Sequence, residues 1–304
     1  MIDLHLHLDG SLTPREVLFL SELSGVSLFS REEEVLSEAL TFDGRGTLND
    51  YLKKFALPLS VLQNAEAVEC AVKMLGNRLA GMGYSYAEVR FAPILHTEKG
   101  ASAKEIVKGA IKGLKSAKLP MGLILCCMRG REREQNLRTV ELAAEFKGKG
   151  IVGVDLAGAE ALYPTENYKE VFALASKLGL NITIHAGEAA GEDSVKAALD
   201  AGAKRIGHGV AARSEELLAR IKKNGVLIEV CPTSNLQTGA VDRMENHPIG
   251  RFLKAGVPVA LCSDNMTVSD TDVLKEWAKV KEAFNFDESL FAFLTAQGLA
   301  HAFH

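Results

Sequence analysis

The sequence carries little of the charge or apolar length that nucleic-acid-binding and membrane-spanning proteins need. Its 304 residues include 35 basic and 39 acidic side chains, a formal net charge of −4. Binding to a nucleic-acid backbone requires a basic face, so this weakly acidic balance argues against that partner. No apolar run approaches the roughly 20 residues that cross a bilayer. We therefore expect neither a nucleic-acid partner nor membrane association.

Cysteine is also scarce, and its spacing does not suggest a disulfide or zinc–thiolate framework. The five cysteines are odd in number and form no CxxC pair, and four of them lie in apolar, strand-like runs. Buried reduced thiols in a cytoplasmic enzyme are the simplest interpretation. Residues 1–5 contain no basic or apolar segment of the kind that begins a secretory signal. The sequence therefore predicts a cytoplasmic protein.

The pattern that does recur is a short apolar run followed by a helical segment. Eight runs are predicted to be strands: Ile2–Leu8, Tyr84–Ala92, Met121–Met128, Ile151–Leu156, Asn181–His185, Arg205–Gly207, Val226–Cys231 and Val257–Cys262. Most intervals between them have a helical pattern: Ala103–Ala117, Glu132–Phe146, Tyr168–Leu178, Ser194–Ala201 and Ser214–Lys223. This alternation predicts an α/β protein with a (β/α)₈ TIM barrel. A doubly wound open sheet is the alternative, but no glycine-rich phosphate fingerprint follows the first strand.

The interval between the first two predicted strands is too long for a single crossover. Residues 12–80 carry helical patterns at Pro14–Leu23, Glu32–Ala39 and Ala65–Ala80. In a barrel, this helical insertion would lie over the C-terminal mouth, where active sites form. It would act as a lid or only pack against the barrel, and the pattern alone does not decide between these. With no linker or repeat, residues 1–304 are expected to form a single metal-dependent hydrolase domain.

His5 and His7 are two residues apart in the first predicted strand, so their side chains point to the same face. A single histidine there would more often be a core residue satisfied by another polar group. Burying two imidazoles without a shared partner is costly, and a metal ion is a partner that neutral imidazole suits. The pair therefore predicts a metal site.

Three more candidate site residues lie at the ends of later strands. His185 ends the fifth predicted strand, and His208 and Asp264 lie just after the sixth and the eighth. Strand ends in a barrel converge on one mouth. Each alone has a structural interpretation, such as a helix N-cap for Asp264 or a turn residue for His208. Their joint occurrence favours one metal-binding mouth. Nitrogen and oxygen ligands fit zinc while leaving iron, manganese and cobalt open.

Glu188 lies three residues after His185, at the same mouth. A metal site of this kind activates water, and the reaction then needs an acid for the leaving group or a ring nitrogen. Glu188 is the natural candidate, although a glutamate near a helix start can also serve only the helix dipole. The fourth predicted strand contains no lysine, which some barrel hydrolases modify to bridge two metals. We therefore expect one metal ion.

With these residues assembled, the sequence resembles the adenosine deaminase family of the amidohydrolase superfamily. The matching motifs occur in the family's order: DLHLHLDGSL at 3–12, DLAGAE at 155–160, HAGE at 185–188, GHG at 207–209, CPTSN at 231–235 and SDN at 263–265. The motifs are spread over nearly the whole chain, and together they are specific for this family. HxH or HAGE alone would be weak evidence for it. The resemblance implies a purine-salvage hydrolase that deaminates adenosine, and 2′-deoxyadenosine, to the 6-oxo product and ammonia.

The resemblance also implies roles for individual residues. One Zn²⁺ per chain would be held by four side chains: His5, His7, His185 and Asp264. Glu188 would protonate N1 of the purine. His208 would stabilise or orient the attacking hydroxide, and Asp264 would also handle its proton.

On the substrate side, the resemblance implies contacts to a small purine nucleoside. His7 and the main chain of Gly158 would contact the substrate, Gly158 at the purine N3 edge. Asp9 would bind the ribose hydroxyls, which favours a nucleoside over a free base. The family's apolar gate resembles a group of four side chains in the insertion: Leu52, Phe55, Leu57 and Leu59.

One position departs from the family's common pattern. Asn265 replaces the second of two aspartates after the eighth strand, and its amide can donate to purine N7 directly. This leaves adenine or a modified 6-aminopurine nucleoside open as alternative substrates. A metal-dependent phosphoesterase and a non-catalytic purine-nucleoside-binding barrel are more distant alternatives. The sequence gives no prediction of oligomeric state.

Overall fold

Eight parallel strands form the centre of the computed structural model, which describes residues 1–303. The strands are β1 (Ile2–His7), β2 (Tyr86–Phe91), β3 (Met121–Met128), β4 (Ile151–Ala157), β5 (Thr183–Ala186), β6 (Arg205–His208), β7 (Leu227–Val230) and β8 (Val259–Leu261). All eight predicted strands are confirmed, with ends shifted by no more than two residues. Each is almost entirely buried, as expected when helices cover both faces of a parallel sheet.

The strands close into a barrel. Two four-stranded sheets, β1-β2-β3-β4 and β5-β6-β7-β8, have parallel neighbours in chain order. Single bridges join them at both seams, Val154 to Ile182 and Leu6 to Asp264. The N–H of His7 also donates to the main-chain oxygen of Asp264 at 2.8 Å. The predicted (β/α)₈ barrel is therefore confirmed, and the open-sheet alternative is wrong.

Helices cover the barrel, and several begin at the capping signals of the sequence. The insertion after β1 holds α1 (Pro14–Leu23), α2 (Glu33–Leu40), α3 (Leu48–Leu52), α4 (Ala56–Val61) and α5 (Ala65–Gly81). The remaining helices are α6 (Ala103–Ser116), α7 (Arg133–Glu145), α8 (Lys169–Lys177), α9 (Glu192–Asp200), α10 (Glu215–Lys223), α11 (Pro232–Gln237), α12 (Ile249–Ala255), α13 (Val273–Phe284) and α14 (Ser289–Ala300). Thr13 and Ser102 form capping boxes at α1 and α6. None of the helices in residues 1–303 has the length and apolar character to cross a membrane.

The insertion is fastened to the loops at the C-terminal mouth of the barrel. The N–H of Phe42 donates to the main-chain oxygen of Val268 at 2.8 Å. The hydroxyl of Tyr51, in α3, lies 2.7 Å from the hydroxyl of Ser269, and both residues are buried. Residues 41–55 therefore lie across the mouth, held to the loop that follows β8.

The barrel interior is ionic rather than aliphatic below its mouth. Arg90 lies 3.0 Å from Asp155 and 2.9 Å from Glu229. Arg205 lies 2.7 Å from the same Glu229 and 2.5 Å from Glu88. All five side chains are fully buried. Arginine stays charged in proteins, so these carboxylates are the partners that make its burial tolerable.

Phe303 covers the base of this ionic cluster. Its ring lies 3.6 Å from the guanidinium carbon of Arg205, close enough for a cation–π contact. Its N–H donates to Glu88 at 2.6 Å, and the hydroxyl of Tyr86 donates to its carbonyl at 3.1 Å. The segment after α14 therefore excludes water from the charges at the base.

Replacing Arg205 with Met should destabilise the protein strongly, because Glu88 and Glu229 would lose a buried countercharge. We expect the free energy of unfolding to fall by about 3–5 kcal/mol. The matched control is Arg138→Met, which removes an arginine from an exposed ion pair with Glu141 and should cost less than about 1 kcal/mol. Equilibrium urea denaturation measures both, and equal losses would contradict the central role of the buried cluster.

Candidate active site

Four side chains predicted as metal ligands meet at the mouth of the barrel. His5 and His7 come from β1, His185 from β5, and Asp264 from the residues just after β8. Nε2 of His5 and Nε2 of His7 lie 3.3 Å and 3.4 Å from the same oxygen of Asp264. One ligand atom from each of the four residues lies within 4.8 Å of the others. The structure therefore brings together the whole predicted ligand set.

Two buried carboxylates orient these imidazoles. Nδ1 of His5 lies 2.7 Å from Glu229, and Nδ1 of His185 lies 2.9 Å from Asp155. A carboxylate only accepts, so each Nδ1 carries the proton and each Nε2 presents a lone pair. Gly207 makes room for the ring of His5, since a Cβ there would lie 2.8 Å from its Cε1.

The arrangement of donor atoms fits a metal ion. Nε2 of His7 and Nε2 of His185 face one another at 3.1 Å, and Nε2 of His5 is buried without a hydrogen bond to any described residue. Nε2 of His185 presents a lone pair because its Nδ1 faces Asp155, and a cation between the two rings would bond to both Nε2 atoms. Nitrogen and oxygen atoms that lie about 2.0–2.2 Å from one zinc ion stand roughly 3 to 3.6 Å from each other, which is close to the observed spacing. Three imidazoles and one carboxylate are suitable ligands for zinc.

Glu160 holds the loop that carries Glu188. Its carboxylate accepts hydrogen bonds from the main-chain N–H of Gly187, Glu188 and Ala189 at 2.7, 3.0 and 2.7 Å. Ala190 adds a fourth N–H at 3.2 Å, and Glu160 is only 2% exposed. Because four consecutive N–H groups donate to the same carboxylate, the main chain of the loop after β5 is held in one conformation.

The side chain of Glu188 is placed beside His208 at the same mouth. Its Oε2 lies 3.5 Å from Nε2 of His208, and its Oε1 accepts from the hydroxyl of Thr238 at 3.1 Å. Burial, followed by the negative charge of Asp264, raises the pKa of Glu188 to about 8. A carboxyl group in this setting keeps its proton near neutral pH, and it can therefore act as an acid.

Two residues at the mouth adopt a backbone conformation that L-residues rarely use. His208 has φ 64° and Asp264 has φ 60°, both in the left-handed region. Such a conformation costs free energy and persists only where surrounding contacts impose it. The backbone at these strand ends turns sharply, and both side chains reach the site.

A cavity of about 360 Å³ lies above the four clustered side chains, within the size range of small-molecule sites. It is lined by Asp9, Gly158 and Asn265, as well as by Leu52, Phe55 and Leu59 of the insertion. Leu48 and Tyr51 also line it, although the sequence did not suggest them. Leu57 does not, because it packs against the main hydrophobic core instead. The expectation that Leu57 belongs to an apolar gate is not supported.

Asp9 and Asn265 bring unsatisfied polar atoms to this cavity. Oδ1 of Asp9 and Oδ1 of Asn265 are buried without a hydrogen-bond partner among residues 1–303. Burial raises the pKa of Asp9 to about 6. Gly10 makes room for Asn265, since a Cβ there would lie 1.8 Å from its Oδ1. Buried polar atoms without partners are costly, so a polar ligand that donates a hydrogen bond is the natural partner for Asp9.

Sequence reasoning missed most of the residues that support the site. Glu229 orients His5, and its signal was an acid inside an otherwise apolar strand. Asp155, Glu160 and Asn235 lay in the motifs but received no role. His247, which hydrogen-bonds to Asn235 at 3.2 Å, had no sequence signal beyond being a histidine.

Comparisons with known proteins agree with this geometry. The family model described as adenosine deaminase matches residues 1–304. The chain is 42% identical to a protein named adenosine deaminase from Haemophilus ducreyi, over 100% of this chain and 91% of that protein. It is 40% identical to another of that name from Enterococcus faecalis, over 99% and 91%.

Solved structures show the same fold at lower identity. An adenine deaminase from Arthrobacter aurescens superposes with a TM-score of 0.88 at 24% identity, covering 100% of this chain and 93% of that one. An N6-mAMP deaminase from Arabidopsis also gives 0.88, at 25% identity and the same coverage. These likenesses support the barrel, while the full-length match and the closer relatives define the family. The chain belongs to the adenosine deaminase family.

Proposed function

We propose that this protein hydrolyses adenosine and 2′-deoxyadenosine to their 6-oxo products and ammonia, with one zinc ion per chain. The observation that carries the proposal is the buried Glu188, whose pKa is raised, beside a cluster of three histidines and one aspartate under a cavity of about 360 Å³. Relatives about 40% identical over nearly the whole chain are named adenosine deaminase, which supports the same reaction here.

The proposed zinc site consists of the four clustered side chains: His5, His7, His185 and Asp264. When bound there, zinc would lower the pKa of a water molecule toward neutrality and so supply the nucleophile. The unpaired Nε2 of His5 and the facing nitrogens of His7 and His185 support this assignment.

Glu188 is the proposed general acid. Donation of its proton to N1 of the purine withdraws electrons from C6, where water attacks. The raised pKa of Glu188 supports this role, because an ordinary glutamate would already be ionised at pH 7. His208 is proposed to orient the attacking oxygen, and Asp264 to accept its proton and pass it to the 6-amino group, which leaves as ammonia. The proton that remains on the oxygen at C6 then returns to Glu188.

Four groups around the cavity are proposed to hold the nucleoside. The buried, unpaired oxygen of Asp9 would accept from the ribose hydroxyls. Asn265 lines the cavity, and its NH₂ group would donate to N7. The main chain of Gly158, at φ 104°, would meet the N3 edge, and the ring of His7 would contact the substrate. The carboxylate of Asp9 favours a nucleoside over the free base adenine.

We also propose that residues 1–304 act as one domain, with the insertion as a lid over the cavity. The hydrogen bonds of Phe42 and Tyr51 to the loop after β8, and the lining residues Leu52, Phe55 and Leu59, support this role. A cytoplasmic location is proposed from the four buried free cysteines.

The proposed activity is tested by following ammonia release and purine absorbance with zinc-loaded protein. Adenosine and 2′-deoxyadenosine should be converted, a chelator should abolish turnover, and added zinc should restore it. Adenine and N6-modified adenosines are assayed in parallel. Faster turnover of either than of adenosine would replace the proposed substrate, and no ammonia from any of them would contradict a deaminase.

Replacing Glu188 with Gln should lower kcat by at least about 10²-fold, the scale expected when a general acid is lost. Zinc content should remain near one ion per chain, because Glu188 is not among the proposed ligands. Glu170→Gln, at an exposed position outside the cavity, is the control. A Glu188→Gln protein with the kcat of the control would exclude Glu188 as the acid.

Replacing Asp9 with Ala should lower kcat/KM for adenosine by about 10- to 100-fold, as expected for a lost hydrogen bond to a charged group. Activity on adenine, which has no ribose, should change little and serves as the internal control. Parallel steady-state assays measure both. Equal losses for the two substrates would rule out Asp9 as the ribose partner.

A further inference from the structure

A chain of buried hydrogen bonds leads from the main chain of α12 to His208. The N–H of Ile249 donates to Nδ1 of His247 at 3.2 Å. Nε2 of His247 lies 3.2 Å from Oδ1 of Asn235, whose Nδ2 lies 3.0 Å from Nδ1 of His208. The exposed fractions of His247, Asn235 and His208 are 3%, 0% and 1%. Water therefore does not compete at any of these links.

The first hydrogen bond determines which group donates and which accepts in each of the others. A main-chain N–H can only donate, so Nδ1 of His247 must accept. Burial lowers the pKa of His247 to about 3, and a neutral imidazole with an accepting Nδ1 carries its proton on Nε2. That N–H donates to the oxygen of Asn235. The NH₂ group of Asn235 then faces His208, and it can only donate to Nδ1.

We propose that His247 is a positioning residue that, through Asn235, fixes His208 as the neutral tautomer protonated on Nε2. The proposal rests on the function proposed in the preceding subsection. It assigns a role to His247 and Asn235, which neither line the cavity nor belong to the proposed ligand set. Nε2 of His208 is the atom that faces Glu188, at 3.5 Å. The hydrogen-bonded series Ile249–His247–Asn235–His208, called the relay below, therefore presents an N–H donor at the place where the attacking oxygen must be held.

This tautomer defines what His208 can do in the reaction. With Nδ1 already accepting from Asn235 and Nε2 protonated, His208 has no free lone pair and cannot act as a base. It can donate one hydrogen bond to the attacking oxygen and orient a lone pair of that oxygen toward C6 of the purine. Removal of the proton from water is then left to the carboxylate of Asp264.

The sharpest test replaces the donor that faces His208 with an acceptor of nearly the same size. In Asn235→Asp, both carboxylate oxygens accept, so Nδ1 of His208 becomes protonated and its neutral form loses the N–H on Nε2. We expect kcat to fall by about 10²-fold or more, as when a catalytic histidine is held in the wrong tautomer. KM should change by less than about threefold, because ground-state contacts are kept. Zinc content and melting temperature are measured on the same preparations.

A second pair of variants changes His247, the residue that hydrogen-bonds to Asn235. His247→Leu removes the donor to Asn235, so the amide can turn over, and we expect kcat to fall by about 10-fold or more. His247→Gln places an N–H near the same point and should restore most of that loss. The matched control is His96→Leu, which removes another buried histidine, with one hydrogen bond, to the carbonyl of Leu62. It should lower stability and leave kcat unchanged.

A spectroscopic readout tests the relay even if the substrate is different. In zinc-loaded protein labelled with ¹⁵N-histidine, the resonances of His208 are assigned by their loss in His208→Gln. The wild type should show the Nε2-protonated pattern, and Asn235→Asp should show a protonated Nδ1. A wild type protonated on Nδ1 of His208, or an unchanged kcat in both Asn235→Asp and His247→Leu, would overturn the proposal. Ammonia release from no purine would contradict the proposed function while leaving the tautomer measurable.

Discussion

Two guanidinium groups buried inside the barrel are the constraint on which the candidate metal site depends. Arg90 and Arg205 stay charged, and a buried charge is tolerated only beside a countercharge. Burial alone would raise the pKa of Glu229, but Arg90 and Arg205 hold it below its ordinary value. The resulting carboxylate accepts from Nδ1 of His5, so the direction of a proposed ligand is set by charges beneath it. The barrel has ion pairs where aliphatic layers are usual, and they align the imidazoles above.

The other half of the site depends on loops rather than on the barrel wall. Glu160 gathers four main-chain N–H groups and fixes the residues that carry Glu188. Asn235 and His247 do the same for His208 from α11 and the loop before α12. In each case the supporting residue hydrogen-bonds to more than one buried polar group, so its replacement would leave more than one of those groups without a partner. The candidate site thus combines proposed metal ligands on and beside the strands with a proposed acid on a loop that Glu160 holds in place.

The strands and the clustered histidines could be predicted from the sequence, because each depends on a pattern of neighbouring residues. Apolar runs gave the eight strands, and the two-residue spacing of His5 and His7 placed both on the inner face. The supporting residues could not be predicted in this way. Whether Glu229 meets His5 depends on barrel closure, which brings together residues 224 positions apart. The direction of the Asn235 amide depends on a main-chain N–H in α12, and no pattern of residue types encodes that contact. Leu57 was misplaced because apolar spacing does not distinguish a cavity wall from the core.

The cover that Phe303 provides at the barrel base has a consequence for when the protein can fold. Glu88 and Arg205 are 117 residues apart, and Phe303 follows Glu88 by 215. A ribosome releases the strands in order, so β1 to β8 leave the exit tunnel before this aromatic ring does. Until then, the charges at the base remain open to water. The ion pairs that align the imidazoles can therefore reach their dry, native state only after residue 303 has been synthesised, so closure of the barrel base follows the synthesis of all eight strands.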